Sequence, residues 1–505
     1  MNFLQEEINM NNSPNYKNYK DIKISNKLDK VLLDLRTIMN NTMELNIMEI
    51  NIGGADCALV TIEGMVSTSS MSELVFQPLM SIQIPVDENP NIAVYKFVTN
   101  QSLLTAERHI LYTYGNVIQD LFSGFALVFI DGIPKGIALG IQGYAQKAIS
   151  QPTSEHNVMG SQEAFAEVIR TNISLIRRRM KSPALRFEMM QIGVQSSTDV
   201  CIVYMVGKAN TKIVSKIRKK LSDIKLDTII SSGYIKPFLE DNVDENLFSN
   251  IGHTERPDVL CTKLNEGKVC VLIDGTPFAL ICPTLFSENF KTIDDYCSKN
   301  YFATYLRWIR YFAFILAVAF PGIYVATASH HPEMINVNLL LNLYASEQAT
   351  PYPLFFEILI IMALLELMRE ASIRLPSAVG SAISIVGGLV IGDAAVKSGI
   401  ISAPLLIIVG LTATASFIIP QLNQQTSILR LAFIFAGGAA GFFGIAVCAI
   451  VVIANICAMD EFRIPYTAPV TPFSAKGIKD VFARASFKSM EKSQSTVEDY
   501  MDDKT

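Results

Sequence analysis

The charge of this chain is distributed in a way that few folds can accommodate. Of its 42 basic and 47 acidic residues, only six and seven lie between positions 301 and 460. That region carries five apolar runs: Tyr311 to Ala328, Phe355 to Met368, Ala378 to Val396, Ile400 to Pro420 and Ile428 to Ala458. A hydrocarbon core ~30 Å thick asks for ~20 apolar residues per helical crossing. Residues 301–460 therefore read as a polytopic α-helical membrane domain of five or six segments, flanked by water-soluble chain. The last run would be ~46 Å long as one helix, and Gly437, Gly438, Gly441 and Gly444 interrupt it. One tilted span, a broken helix and two short passes all fit. An even number of crossings would return the tail 461–505, with Lys476, Lys479, Arg484 and Lys488, to the side of the N-terminus.

Orientation follows from the basic residues. The opening "MNFLQEEINMNNSPNYKNYK" has no apolar core and no small-residue cleavage site, so no secretory signal is read there. Arg307 and Arg310 precede the first span, and the loop Ser329 to Pro353 contains no Lys or Arg. By the positive-inside rule the N-terminal domain and the C-terminal tail are cytoplasmic and that loop faces outward. A net charge of −5 argues against nucleic-acid binding. The eight cysteines form no C-x-x-C pair, which gives neither a zinc site nor a disulfide framework. No P-loop, nucleophile elbow or H-E-x-x-H pattern occurs, so neither an enzyme nor a cofactor is expected. His330, His331 and Glu333 read as ordinary loop rather than a metal site.

Residues 1–28 read as a disordered polar tail, and 29–300 as the cytoplasmic domain. Within it "LVFIDGIP" at 127–134 recurs as "VLIDGTP" at 271–277, an offset of 143 that also carries Gly64 onto Gly207. Two matches at one offset imply duplication, and each copy shows an apolar strand, a helical stretch and a strand ending in Asp-Gly. The expectation is an α+β domain of two tandem related α/β subdomains, about 45–147 and 188–290. Asp131 and Asp274 are assigned to tight-turn chemistry. Between the copies Phe165, Ile169, Ile173, Ile176 and Met180 fall at helical spacing, which predicts an amphipathic linker helix over 161–183. Arg177, Arg178 and Arg179 crowd its end, where cations complement the helix dipole. They are also candidates for contact with an acidic subunit or with anionic membrane lipid.

The span "FFEILIIMALLELMREASIRLP" carries five charges that a passive anchor does not need. Glu357 and Glu366 are nine residues apart, on opposite faces and ~13.5 Å apart along the axis, so they form no single site. Glu366 with Arg369, and Glu370 with Arg374, have the spacing of a charge ladder at the inner end, while Glu357 stands alone near the outer end. The next segment, 376–399, is rich in small residues. Ser377, Ser381, Ser384, Gly388 and Gly392 form one stripe, and Val379, Ile383, Val386 and Val390 another. Such stripes serve close helix packing or line an aqueous path; periodicity leaves both open.

With these residues in view, the chain resembles the A subunit of GerA-type spore germination receptors from about Leu33 to Phe473. The likeness is strongest in "EAFAEVIRTNISLIRRRMKSP", "ERPDV", "LNEGKVCVLIDGTPF", "FFEILIIMALLELMREASIRLP" and "VGSAISIVGGLVIGDAAVKSGIISAP". The resemblance implies a receptor in the spore inner membrane, assembled with a transporter-like B subunit that carries the nutrient pocket and a lipoprotein C subunit. It further implies that A subunits form a homo-oligomeric, ligand-gated cation channel. On that analogy the 376–396 stripes are assigned to the pore and gate, and the charges of 357–374 to subunit contacts. Two other classes compete with this reading. A secondary transporter predicts inverted membrane repeats, whereas the repeat here lies in the soluble half. A membrane-anchored signalling scaffold leaves the intramembrane charges without a job.

Overall fold

The computed structural model describes residues 19–40, 42–82, 89–100, 107–143, 151–155, 157–241, 246–374, 392–475, 477–491 and 496–500. The first lobe opens with α1 (Leu28–Ile38), β1 (Leu45–Ile52) and β2 (Ala55–Ile62). It continues through the helical stretch α2 (68–80), α3 (Pro90–Asn100), β3 (Arg108–Leu111), α4 (Tyr114–Leu121), β4 (Phe125–Ile130) and β5 (Gly136–Gly140). The second lobe repeats the series: α5 (Ile169–Arg179), β6 (Leu185–Ile192), β7 (Thr198–Met205), α6 (Thr211–Ser222), α7 (Ser232–Leu239), β8 (Gly252–Thr254), α8 (Pro257–Asn265), β9 (Val269–Ile273) and β10 (Ala279–Cys282).

The two antiparallel sheets have the same strand order, β1-β2-β4-β5-β3 and β6-β7-β9-β10-β8. Their registers agree as well. Cys57 faces Ile130 and Val60 faces Leu127 in one lobe; Val200 faces Ile273 and Val203 faces Cys270 in the other. These pairs are related by the offset of 143 found in the sequence. β4 and β9 are buried along their whole length because helices cover both faces of each sheet. That is why "FALVFI" and "VCVLI" are continuous apolar runs rather than alternating ones.

Several boundaries differ from expectation. Tyr19 and Ile24 are buried in the first lobe's core beside α1, so residues 19–28 belong to that lobe. The predicted linker helix 161–183 is helical only over Ile169–Arg179 and is the second lobe's counterpart of α1. The Asp-Gly pairs do not make two-residue hairpins, since only Gly132 and Gly275 have positive φ. Instead Asp131 Oδ1 accepts from Leu28 N at 3.0 Å and Asp274 Oδ1 from Ile169 N at 2.9 Å. Each aspartate caps the first helix of its lobe from a distance, a role that favours a carboxylate at a helix N-terminus.

Beyond the lobes come α9 (Asn300–His330), α10 (Val337–Gln348), α11 (Leu354–Arg374), α12 (Ala403–Phe417) and α13 (Asn423–Ala458). The expected five or six membrane segments are met in part. Among the described residues, Asn300–His330 and the stretch Pro420–Ala458 are long and apolar enough to cross a membrane; Ala403–Phe417 is apolar but shorter. α13 is divided. Ala440 (φ −139°, ψ 18°) and Gly441 (φ 58°, ψ −140°) leave helical geometry, and a β-carbon at Gly444 would collide with the carbonyl of Ala436. In an unbroken helix those residues are ~12 Å apart, so 423–439 and 442–458 fold back as a helical hairpin. Gly441 can take its positive φ because it has no β-carbon. One there would also press on the rings of His330 and His331, which places the hairpin tip beside the far end of α9. Gly322 and Gly437 bring α9 and the first arm into backbone contact, the close approach that small residues permit.

The tail 461–500 is not a free appendage. Phe462, Ile464, Ala468, Val497 and Tyr500 share the second lobe's core with Val200, Ile217 and Val271. Tyr466 packs with Phe248 and Phe290 under the membrane helices.

Candidate functional site

Two arrangements of charge stand out: one where the second lobe meets the long apolar helices, the other inside the helical bundle. At the junction, Arg307 on the second turn of α9 is fully buried. Its Nε donates to Asp295 Oδ2 at 2.9 Å, and its Nη1 to Asp480 Oδ1 at 2.9 Å and the Asp480 carbonyl at 2.8 Å. Arg310 donates to both Asp295 oxygens at 2.9 Å. The Tyr296 hydroxyl donates to Asp480 at 2.6 Å. Burial pushes the Asp480 carboxyl up, but Lys291 and Arg307 beside it outweigh burial and hold it below the usual carboxylate range. The end of the second lobe, the base of the first membrane helix and the returning C-terminal segment are thus fixed in one ionic knot. A buried pair of this kind is costly to break because the survivor stays charged and unpaired.

Within the bundle, α11 runs antiparallel to the first arm of the hairpin: Phe355 packs on Phe435 with ring centroids 5.5 Å apart, and Arg369 Nη1 donates to Ser427 Oγ at 2.9 Å. Glu366 pairs with Arg369 at 2.6 Å, and Glu370 with Arg374 at 2.5 Å, as the spacing predicted. Glu366 is also 3.9 Å from Arg430. Arg430 is 2 % exposed, and its Nε donates to the Ala317 carbonyl at 2.9 Å. Sequence reasoning passed over Arg430, although a lone arginine in the run Ile428 to Ala458 was the signal. Glu357 is fully buried and accepts the backbone N–H of Ser402, the residue that opens α12. The isolated carboxylate therefore meets the positive end of another helix.

The proposed pore and gate residues Ser377, Val379, Ser381, Ile383, Ser384, Val386, Gly388 and Val390 lie outside the described residues. Their flanks are described. The chain leaves α11 at Arg374, at the end near Ser427, and re-enters α12 at Ser402 beside Glu357, at the opposite end.

The three arginines offered as subunit contacts are placed differently from expectation. Arg177 lies between the lobes, fully buried. Its Nε and Nη2 donate to Glu44 at 3.0 and 2.8 Å, and its Nη1 to the Ser182 carbonyl at 2.8 Å. The guanidinium is flanked by Phe122 and Phe187 at 4.7 and 5.0 Å. It is closed to any partner in this conformation. Arg178 and Arg179 are half-buried and pair with Glu163. Arg170, Ser174 and Arg177 on one face of α5, with Lys181 just beyond its end, meet Glu63, Gly64, Glu44 and Ser123 of the first lobe; this face joins lobe to lobe.

Residues 34–496 match the family model described as Bacillus/Clostridium GerA spore germination protein. The chain belongs to the GerA family. It is 35% identical to spore germination protein KA of Bacillus subtilis (strain 168) over 484 residues, covering 95% of this chain and 88% of that one. It is 31% identical to spore germination protein GerLA of Bacillus cereus, covering 92% and 94%. Membrane protein YfkQ of Bacillus subtilis (strain 168) is 34% identical over 93% of this chain and 91% of its own. Among solved structures, the N-terminal domain of the A subunit of the Bacillus megaterium spore germinant receptor GerK3 aligns with a TM-score of 0.41 and 31% identity, over 52% of this chain and 97% of that one.

Proposed function

We propose that the chain is the A subunit of a nutrient germinant receptor in the spore inner membrane. It works beside B and C subunits, and several copies surround a cation-conducting pore that opens when the receptor binds nutrient. GerA membership supports the germination role. The observation that carries the channel reading is Arg430, buried within the apolar helix α13 and shared with Glu366 and the Ala317 carbonyl. A helix that only tethers a domain gains nothing from an intramembrane arginine, which is costly unless paired and is typical of ion and substrate paths. On this reading the segment 376–396 presents the Ser/Gly and Val/Ile stripes to the pore. The broken helix α13 gives little support to a transporter, because its discontinuity sits at a hairpin tip by His331 rather than at a midplane site.

The decisive experiment is reconstitution. Purified with its B and C partners into liposomes, the receptor should pass cations on nutrient addition, and omission of this chain should abolish the flux. An A subunit that leaves flux unchanged when omitted is a scaffold.

Topology is checked separately. In a background without the exposed Cys297 and Cys457, a cysteine at Asn336 should react with an impermeant maleimide from outside. One at Lys488 should react only after permeabilisation. The reverse pattern would invert the orientation drawn from Arg307 and Arg310.

A further inference from the structure

Between the second lobe and the inner ends of the membrane helices lies a cavity of about 600 Å³, within the range typical of small-ligand sites. Its lobe side carries Lys236 and His253, its neck Lys291 and Arg310, and its membrane side Ile418 and Gln425 from the α12–α13 connection. The charges around it do not balance evenly. Glu266 and Glu288 are taken up by Lys263, at 3.1 and 3.3 Å, and by Lys268. Burial raises the Glu155 carboxyl to about 7, which halves its charge near neutrality. At the neck Lys291, Arg307 and Arg310 share only Asp295 and Asp480, leaving one positive charge over. Lys236 is half-buried, and burial holds its ammonium below the ordinary lysine range, with Glu240 offsetting only part of that. The Gln425 side-chain oxygen is shut off from solvent with no partner; turning the amide over would present an N–H donor there instead.

We infer that this cavity binds a phosphate-bearing anion, the headgroup of an anionic phospholipid from the inner leaflet, with Lys236 as its principal charge partner. A half-buried ammonium whose neighbouring acid, Glu240, offsets only part of its burial is expensive, and an incoming phosphate supplies further negative charge. Phe417, Ile418 and Pro420 at the cavity's membrane edge give the glycerol and upper acyl chain an apolar wall. Basic pockets at the cytoplasmic ends of membrane helices recognise anionic headgroups by this combination. The inference rests on the reading that α12 and α13 sit in the bilayer. A chain that stays dispersed without detergent would sink that placement, whatever happens at Lys236.

The test uses the full chain in nanodiscs of phosphatidylcholine, with and without phosphatidylglycerol, read by lipid retained in native mass spectrometry and by the unfolding midpoint. Phosphatidylglycerol should be retained and should raise the midpoint. Lys236→Gln should weaken retention about tenfold and abolish the rise, and Lys236→Arg should keep both. In pure phosphatidylcholine Lys236→Gln should unfold no earlier than the native chain, since it removes an uncompensated charge; an earlier midpoint would make Lys236 a structural residue and overturn the site. Equal retention by the native chain and Lys236→Gln would also overturn it. Inorganic phosphate giving the same rise in phosphatidylcholine discs would keep the anion site and overturn the lipid as its source.

Discussion

Spores carrying Val386→Ala or Ile383→Ala are expected to release cations at rest, without nutrient. If the Val379, Ile383, Val386 and Val390 stripe faces a pore, it forms a hydrophobic constriction that stays shut by excluding water. Removing methyl groups widens and wets it, so the closed state conducts and germination starts spontaneously. On the same proposal the opposite stripe, Ser377, Ser381, Ser384 and Gly388, would leave the segment room to turn against its neighbours. A packing role gives a different sign. Truncation would then cost ~1–3 kcal/mol of stability, lower the amount of receptor and weaken the nutrient response, with no leak. Resting cation release, with receptor level followed by blot, separates the two. Normal levels and no leak at all four positions would remove this segment as the gate.

That test addresses the part of the molecule the chain's periodicity described least fully, and the reasons differ from element to element. The duplication was legible because two short motifs survive at one offset, and the strand order and register reproduce that offset pair by pair. The charge ladder of α11 was legible because it is local: residues three and four apart on a helix must be neighbours. Contacts between distant parts of the chain were not. Nothing in "STVEDYMDDKT" announces that Val497 and Tyr500 complete a core built around Val200 and Val271. Asp480 likewise gives no local sign that it will neutralise Arg307. Glu357 was recognised as a carboxylate needing a partner, but its partner is a backbone N–H 45 residues away, which no spacing rule reaches. The glycines of α13 signalled an interruption, and the close approach of Gly444 to the Ala436 carbonyl distinguishes a hairpin from a bent span.

Arg177 shows the same limit at its sharpest, and it yields the second large expected effect. In the run "IRRRMK" the three arginines are indistinguishable, yet Arg177→Met should destabilise the two-lobed N-terminal domain by about 3–5 kcal/mol. In the joint change Arg178→Ala and Arg179→Ala, each substitution should cost no more than about 1 kcal/mol. The difference is solvent. The Arg177 and Glu44 side chains are 1% and 6% exposed, whereas Arg178, Arg179 and Glu163 keep 25–30%. Without Arg177, the Glu44 carboxylate is stranded between the lobes with Thr42 as its remaining side-chain donor, and the Ser182 and Leu185 carbonyls each lose one of their donors. The melting midpoint of the detergent-solubilised chain should fall by on the order of 10 °C, with faster proteolysis between the lobes. Adding Glu44→Gln should restore much of the loss, because with both charges gone neither is left unpaired, and a double-mutant cycle measures the coupling directly. A surface docking role predicts the reverse pattern: an unchanged midpoint for Arg177→Met, no coupling to Glu44, and a defect visible only when the receptor's partners are present.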